Sequence, residues 1–297
     1  MQALYTMSAF EKDAKTEESQ RILQKHFDNS KELITYFIYF IAQVAAYAEK
    51  DAYKRSGKHL PSDEDLHVNV KIAGNEWLWK IKEDVLINSE WNQWKPENRL
   101  DKELVRLFYT KLAETDEYKV YVTSHYRDKK EEKAIVEFIF ENLLLPDELF
   151  LAHIEEHFSN WDDDGEMAVQ MIKNYLGRPG SIDFAQFISK DKMQFARDLL
   201  STVLDKNDHL ESFILPKLKN WDAERLAALD MILLKMGIAE FLFFETIPPK
   251  VTINEYIDLA KDYSTAQSGQ FINGILDNIH KDLMKEGTMH KREFKKA

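Results

Sequence analysis

Turn-forming residues are the scarcest component of this chain. Its 297 residues hold 9 glycines and 7 prolines, well under the usual shares of about 7% and 5%. A chain so poor in tight turns spends its length on long elements joined by few loops. Hydrophobic residues recur near a period of 3.6 almost throughout, which is the spacing of one helix face. An all-α fold follows. Hydrophobic content of 44% and aromatic content of 12% suffice for a sizeable core and are too high for disorder. The length suits roughly two domains.

The same scarcity narrows the chemistry. No G-x-x-x-x-G-K-[ST], G-x-G-x-x-G or G-x-S-x-G run occurs, so a phosphate-cradling loop or a nucleophile elbow is not expected. With no cysteine, disulfides, thiolate zinc sites, iron–sulfur clusters and cysteine nucleophiles are excluded. No cofactor is implied, and a non-enzymatic role is favoured. The formal charge of −12 argues against indiscriminate coating of nucleic acid, which needs a net basic face. The longest apolar stretch, Ile34 to Tyr47, is 14 residues, short of the roughly 20 that span a bilayer. No basic segment followed by an apolar run opens the chain, so a cytoplasmic location is expected, with no membrane partner.

Residues 17–56 read as one or two helices, and 57–65 as a loop. Leu66, Val68, Val70 and Ile72 alternate at period 2 but have no second strand to pair with, so 66–72 reads as an extended connector. Helices are expected around 75–88, 101–115 and 128–144, the last broken at Pro146. Leu176-Gly177-Arg178-Pro179-Gly180-Ser181 is the clearest turn-forming run and a candidate boundary. Across it lies a candidate repeat. Shifted by 60 residues, Asn160-Trp161-Asp162 lands on Asn220-Trp221-Asp222. Ile135, Ile139, Leu143, Phe150, Ile154 and Phe158 then land on Phe195, Leu199, Val203, Leu210, Ile214 and Leu218.

Two short motifs invite metal readings. His153-Ile154-Glu155-Glu156-His157 fits the H-x-x-E-H zinc peptidase pattern, with histidines one turn apart on a helix. The plainer reading is a surface helix turn. Asn160-Trp161-Asp162-Asp163-Asp164-Gly165 imitates the start of a calcium loop, but the bidentate Glu required at its twelfth position is Met171 here. The acidic run is better read as a helix start.

In the last third, Asp222 is expected to open a helix with Leu226, Leu229, Leu233 and Met236 on its apolar face, stopped by Ile247-Pro248-Pro249-Lys250. Thr252 with Glu255 reads as a capping box for the next helix, whose buried stripe is Ile253, Tyr256, Ile257 and Ala260. Ser264 with Gln267 reads as the cap of a third, burying Ile272, Ile275, Leu276 and Ile279, with Gly274 as a close-packing notch. Three helices with short links make a bundle.

These residues carry a family resemblance. Pro249-Lys250-Val251-Thr252-Ile253-Asn254-Glu255, Ile257-Asp258-Leu259-Ala260-Lys261 and Ser268-Gly269-Gln270-Phe271-Ile272-Asn273-Gly274-Ile275-Leu276-Asp277 resemble the signature of the bacterial transcription antitermination factor NusB. Phe195-Ala196-Arg197-Asp198-Leu199-Leu200 and Asp230 to Glu240 fall in register, so the likeness runs over about 190–285. Gln2-Ala3-Leu4-Tyr5 resembles the end of the family's first helix. The chain looks like a long variant, divided as 1–186 (start of the first helix plus an additional helical region), 187–290 (NusB-like helical domain) and 291–297 (basic tail).

The resemblance implies a NusB-like helical bundle with a large additional helical N-terminal region, acting in a ribonucleoprotein. The implied partners are single-stranded boxA-type RNA, the ribosomal protein that doubles as NusE, and the RNA polymerase antitermination complex on ribosomal RNA operons. By register, Tyr5, Glu224 and Asp230 face the protein partner. Gln267, Gln270 and Phe271 fall where the family approaches RNA, with Phe271 placed to stack on a base or, at helical spacing, to be core. Gln267 replaces a commonly acidic residue. The family normally carries an arginine-rich stretch ahead of the Gln-Ala-Leu-Tyr segment, and such a segment is expected upstream of Met1 or is missing. The stretch Lys281–Lys296, with six positive and three negative residues, is a second source of phosphate contacts or a solubilising end. Two other readings remain at this stage: an RNA-binding module in rRNA modification or maturation, and a zinc peptidase using His153 and His157.

Overall fold

The structure is a computed structural model, and it describes residues 1–10, 16–124, 126–184, 187–218, 227–265 and 267–291. Among these residues the elements are helices and no strand occurs, as expected from the sequence. The chain divides into two units: Met1–His26 with Ile188–Ala297, and Phe27–Phe187.

The first unit contains α1 (Gln2–Phe10), α11 (Lys190–Asp205), α12 (Asn207–Ile214), α13 (Ala228–Phe243), α14 (Pro249–Tyr263) and α15 (Ser268–Glu286). It also holds the start of α2 (Thr16–Ser56). Its core is mainly aliphatic: Leu199, Leu210, Ile214, Leu233, Ile272, Leu276 and Ile279 meet Ala3 and Leu4 of α1. α13 buries residues all around, from Ile232 to Phe241, as a helix enclosed by others does.

Three sequence expectations change in this unit. The T-x-x-E pattern at Thr252 is not a cap. α14 starts a turn earlier, with Pro249 at its first position, where a missing N–H costs nothing. Thr252 is buried and donates its hydroxyl to Glu240 Oε2 at 2.7 Å. Nor does Ser264 cap α15: Gln267 occupies the N-cap without a side-chain cap, and Ser264 turns to Asp230. Gly274 is not the notch, since a Cβ there would meet nothing within 4 Å. The close approach is at Gly237, where a Cβ would lie 2.9 Å from Leu276 Cδ2.

The second unit contains the remainder of α2, then α3 (Asp63–Leu66), α4 (Glu76–Glu83), α5 (Val85–Trp94), α6 (Lys102–Glu114), α7 (Asp116–Thr123) and α8 (Lys129–Phe138). The π-helical turn Ile139–Leu144, α9 (Glu148–His157) and α10 (Trp161–Gly177) complete it. α2 is the hub. Phe37 packs edge-on to Phe140 and Phe150 at 5.9 and 5.2 Å between ring centroids and stacks on Trp161 at 5.5 Å. Phe40 lies 4.8 Å from Phe150. Helix starts are fixed by side chains that accept orphan backbone N–H groups: Asn75, Asp84, Asp101, Thr115, Asp128 and Asp147. Capping of this kind explains how so many helices are punctuated with so little glycine. The expected extended connector reduces to 67–70, between α3 with its capping box at Ser62 and a 3-10 turn over Lys71–Gly74.

The 60-residue offset also holds for helix boundaries and burial. α8 with the π turn maps onto α11, and α9 onto α12 with its following 3-10 turn. All six apolar positions of the first copy are buried, and so are five of the second, Phe195 being partly buried. The second Asn-Trp-Asp link, 220–222, lies outside the described residues.

Candidate functional site

The expected site residues other than Glu224 fall in the first unit, and Glu224 lies outside the described residues, as do Asp222 and Leu226. One of them, Asp230, forms a hydrogen-bonded junction with the turn before α15. Asp230 is in the first turn of α13, where a carboxylate meets the positive end of the helix dipole. It is 6% exposed. Ser264 Oγ donates to its Oδ1 at 2.7 Å and Ser268 Oγ to its Oδ2 at 2.9 Å. Thr265 N–H donates to Ser268 Oγ at 3.2 Å. The turn between α14 and α15 is thereby tied down onto the start of α13. Asp230 thus meets serines of its own chain, and a protein partner facing this position would meet the junction rather than a protruding carboxylate.

That junction sets the aim of α15. Gln267 and Gln270 are exposed at its N-terminal end, where they present amide donors and acceptors to solvent. Phe271 behaves otherwise: it is 8% exposed and belongs to the core with Ile272, Ile275 and Leu276. Stacking a base on its ring would require withdrawing it from that core, so at this position the helical spacing prevails. On α1, Tyr5 is 51% exposed while its neighbours Ala3 and Leu4 are buried, a single helix turn dividing inward and outward faces. Sequence reasoning missed Ser268 and Thr265 as parts of the junction. The signal available was a run of hydroxyl residues, Ser264, Thr265 and Ser268, at a turn.

A second polar cluster closes the far end of α13. Glu240 accepts from Thr252 Oγ1 and from Tyr256 OH, both at 2.7 Å. Lys291 Nζ donates to the Glu240 and Phe244 carbonyls at 2.7 and 2.8 Å, which satisfies carbonyls that a helix end leaves open. Burial pushes the Glu240 carboxyl above its ordinary range, with the Tyr256 and Thr252 hydrogen bonds opposing it. Burial likewise raises the Tyr256 phenol. Lys291 of the basic stretch is therefore engaged with the fold, while 292–297 lie outside the described residues.

The surface-turn reading of 153–157 is corrected at His153. His153 is buried, with its Nε2 2.5 Å from Tyr36 OH. Burial, then the neighbouring His157, holds its imidazole below the ordinary value. Among the described residues no group of three or more His, Asp or Glu side chains converges as a metal site, so the H-x-x-E-H pattern lacks a further ligand. Asp162, Asp163 and Asp164 open α10, and Asp164 accepts from Ser30 Oγ at 2.6 Å and Asn160 Nδ2 at 2.7 Å. Among the described residues no helix is long and apolar enough to cross a membrane.

The charge is unevenly shared. The second unit carries 20 Lys and Arg against 31 Asp and Glu, or −11, and the first carries 20 against 21, or −1. The unit that holds the expected RNA-facing residues is nearly neutral.

Comparison with known proteins gives a consistent result. The NusB family pattern matches residues 157–281. A transcription antitermination protein NusB of Desulfatibacillum aliphaticivorans is 42% identical over 103 residues, 35% of this chain and 72% of the relative. That of Salinibacter ruber is 41% identical over 132 residues, 44% of this chain and 76% of the relative. That of Chloroherpeton thalassium is 33% identical over 137 residues, and this chain spans 64% of its length. The solved structure of T. maritima NusB is 31% identical, covering 43% of this chain and 82% of that one, with a TM-score of 0.31.

Proposed function

This chain belongs to the NusB family, and on that footing we propose that it is a cytoplasmic transcription antitermination factor. It binds boxA-type single-stranded RNA together with the ribosomal protein that doubles as NusE. The complex then engages RNA polymerase and supports processive transcription of ribosomal RNA operons. The observation that carries this reading is the 41–42% identity over stretches covering 72–76% of relatives that bear the antitermination name. The charge distribution is compatible with it. RNA affinity depends on local neutralisation of phosphates, and the unit concerned has a net charge of −1 rather than −12.

Within that reading the exposed amides of Gln267 and Gln270 are the RNA-facing side chains, and Phe271 supports them from beneath. Tyr5 and Glu224 belong to the surface for the protein partner, and Asp230 shapes that surface through the serine junction. The test is fluorescence anisotropy of labelled boxA RNA with the chain and the purified ribosomal protein. The expected result is a ternary complex tighter than either binary one. A double variant Gln267→Ala, Gln270→Ala is expected to weaken RNA binding while leaving the circular dichroism unchanged. No RNA binding with the ribosomal protein present, from a preparation that includes any coding sequence upstream of Met1, would refute the reading.

A further inference from the structure

The second unit holds a groove of its own. α7 forms one wall, α8 the other, and the π-helical turn continues the second wall past Phe138. The groove is open along one side and measures about 640 Å³, within the roughly 300–1,000 Å³ of typical ligand sites. Its floor is apolar, from Val120, Ala134, Ile135 and Phe138. Val120 is 70% exposed, so part of that floor faces solvent with no apolar cover among the described residues.

The rim is of one sign. Asp116 and Glu117 stand on the α7 side, and Glu131, Glu137 and Glu141 on the other. Three of these have lysine neighbours: Lys119 at 3.6 Å from Asp116, Lys133 at 3.3 Å from Glu137 and Lys173 at 3.2 Å from Glu141. Such exposed pairs hold each other weakly. Glu117 and Glu131 make no ion pair among the described residues, and no basic residue lines the groove among them. The unit's charge of −11 adds a long-range attraction for cationic ligands.

The walls are fixed in advance. Tyr121 OH on α7 donates to Glu132 Oε1 on α8 at 2.9 Å. Asn75 Nδ2 donates to Tyr121 OH at 3.2 Å and to the Glu132 carbonyl at 2.8 Å, and Arg127 Nη1 to Glu132 Oε2 at 3.1 Å. A groove held open by buried hydrogen bonds spares an incoming ligand the cost of ordering it.

The geometry points to this groove as a docking site for a basic amphipathic helix of a partner protein. Its length decides for a helix: Glu131 to Glu141 spans about 15 Å of helix rise, or about three turns of a bound helix. Two helical walls with an apolar floor offer a groove into which a third helix can seat its apolar ridge. The rim carboxylates would meet lysine and arginine side chains flanking that ridge.

The probe is a labelled synthetic peptide of about 18 residues, long enough to form a helix, made of leucine and lysine with the leucines on one face. The control has the same composition with the leucines distributed all round. Anisotropy is read with the full chain at about 0.15 M salt, so that unspecific attraction is screened. The patterned peptide is expected to bind at least about tenfold more tightly than the control. Glu117→Lys with Glu131→Lys is expected to weaken it by about tenfold or more, and so is Val120→Glu. All three positions are exposed, so circular dichroism should not change. Hydrogen exchange should show new protection within 116–142. Equal binding of the two peptides, or binding indifferent to both variants, overturns the proposal. A chain that sediments as a dimer and becomes monomeric on Val120→Glu also overturns it, because the occupant would then be a second copy.

Discussion

The two units use one helical grammar with different fillings. The second is rich in enclosed rings: Tyr36, Phe37, Phe40, Phe108, Phe140, Phe150 and Tyr175 are all fully enclosed among its aliphatic residues. In the first the core is mainly leucine and isoleucine, with Phe241, Tyr256 and Phe271 as its buried rings. The second unit is acidic outside, and the first is close to neutral. The difference teaches that an apolar period specifies a helix face without specifying what packs on it. Nor does a chain-wide net charge describe either unit. A total of −12 argues against indiscriminate coating of nucleic acid, but that total belongs almost wholly to the unit without the residues proposed to face RNA.

The comparison can be strained hardest through the cores. Phe150→Ala and Phe241→Ala should each cost about 3–5 kcal/mol, read by chemical denaturation. Hydrogen exchange should show the loss of protection concentrated in the unit that carries the change. The aromatic unit should sit at the upper end, because Phe150 also forfeits ring contacts with Phe37, Phe40 and Phe108 worth roughly 0.5–1.5 kcal/mol each. Equal losses would remove the distinction drawn between the two fillings.

Within the aliphatic unit two glycines should respond with opposite signs. Gly237→Ala drives a methyl against Leu276 and should destabilise by about 1–3 kcal/mol. Gly274→Ala enters open space on an exposed helix face and should stabilise by about 0.5–1 kcal/mol. Thermal melts of the two variants decide it.

The smallest expected effect is a pH dependence. Because burial raises the Glu240 carboxyl in the folded state above its ordinary 4.5, the folded chain binds this proton at higher pH than the unfolded chain does. Its contribution is therefore most favourable below 4.5 and is lost as pH rises through the folded value. Relative to Glu240→Gln, the native chain should gain stability as pH falls from about 7 toward that limit, and level off beneath it. A difference that grows in the opposite direction would show that the Tyr256 and Thr252 hydrogen bonds outweigh burial.

Much of the fold was legible because helix formation is local. Scarce glycine and the 3.6 period led to the all-helical reading, and Pro146 marked a real break before the Asp147 cap. Two of the failures share a cause: they are places where a distant group claims a side chain. Thr252 matched a capping pattern, yet Glu240 takes its hydroxyl. Ser264 matched another, yet Asp230 takes it. Gly274 was a plausible notch, but smallness does not reveal which face a helix presents. At the candidate site Tyr5, Gln267 and Gln270 are exposed, as any surface role requires. The serine junction around Asp230 required tertiary structure. The groove between α7 and α8 was invisible, since its residues are ordinary surface carboxylates until two helices bring them together.

The π-helical turn at Ile139–Leu144 has a consequence for how this sequence can change in length. A π turn is an α-helix that holds one residue more than its turn requires. An added residue elsewhere in a helix rotates everything after it by about 100°, turning a buried face outward. Here Ile135 and Val136 before the bulge and Ile139, Phe140, Leu143 and Leu144 within it are all buried. The surplus residue is absorbed on the spot, and the inward register of the helix survives it. The wall of the groove is thus a segment where an insertion or deletion can be accommodated without re-facing the core.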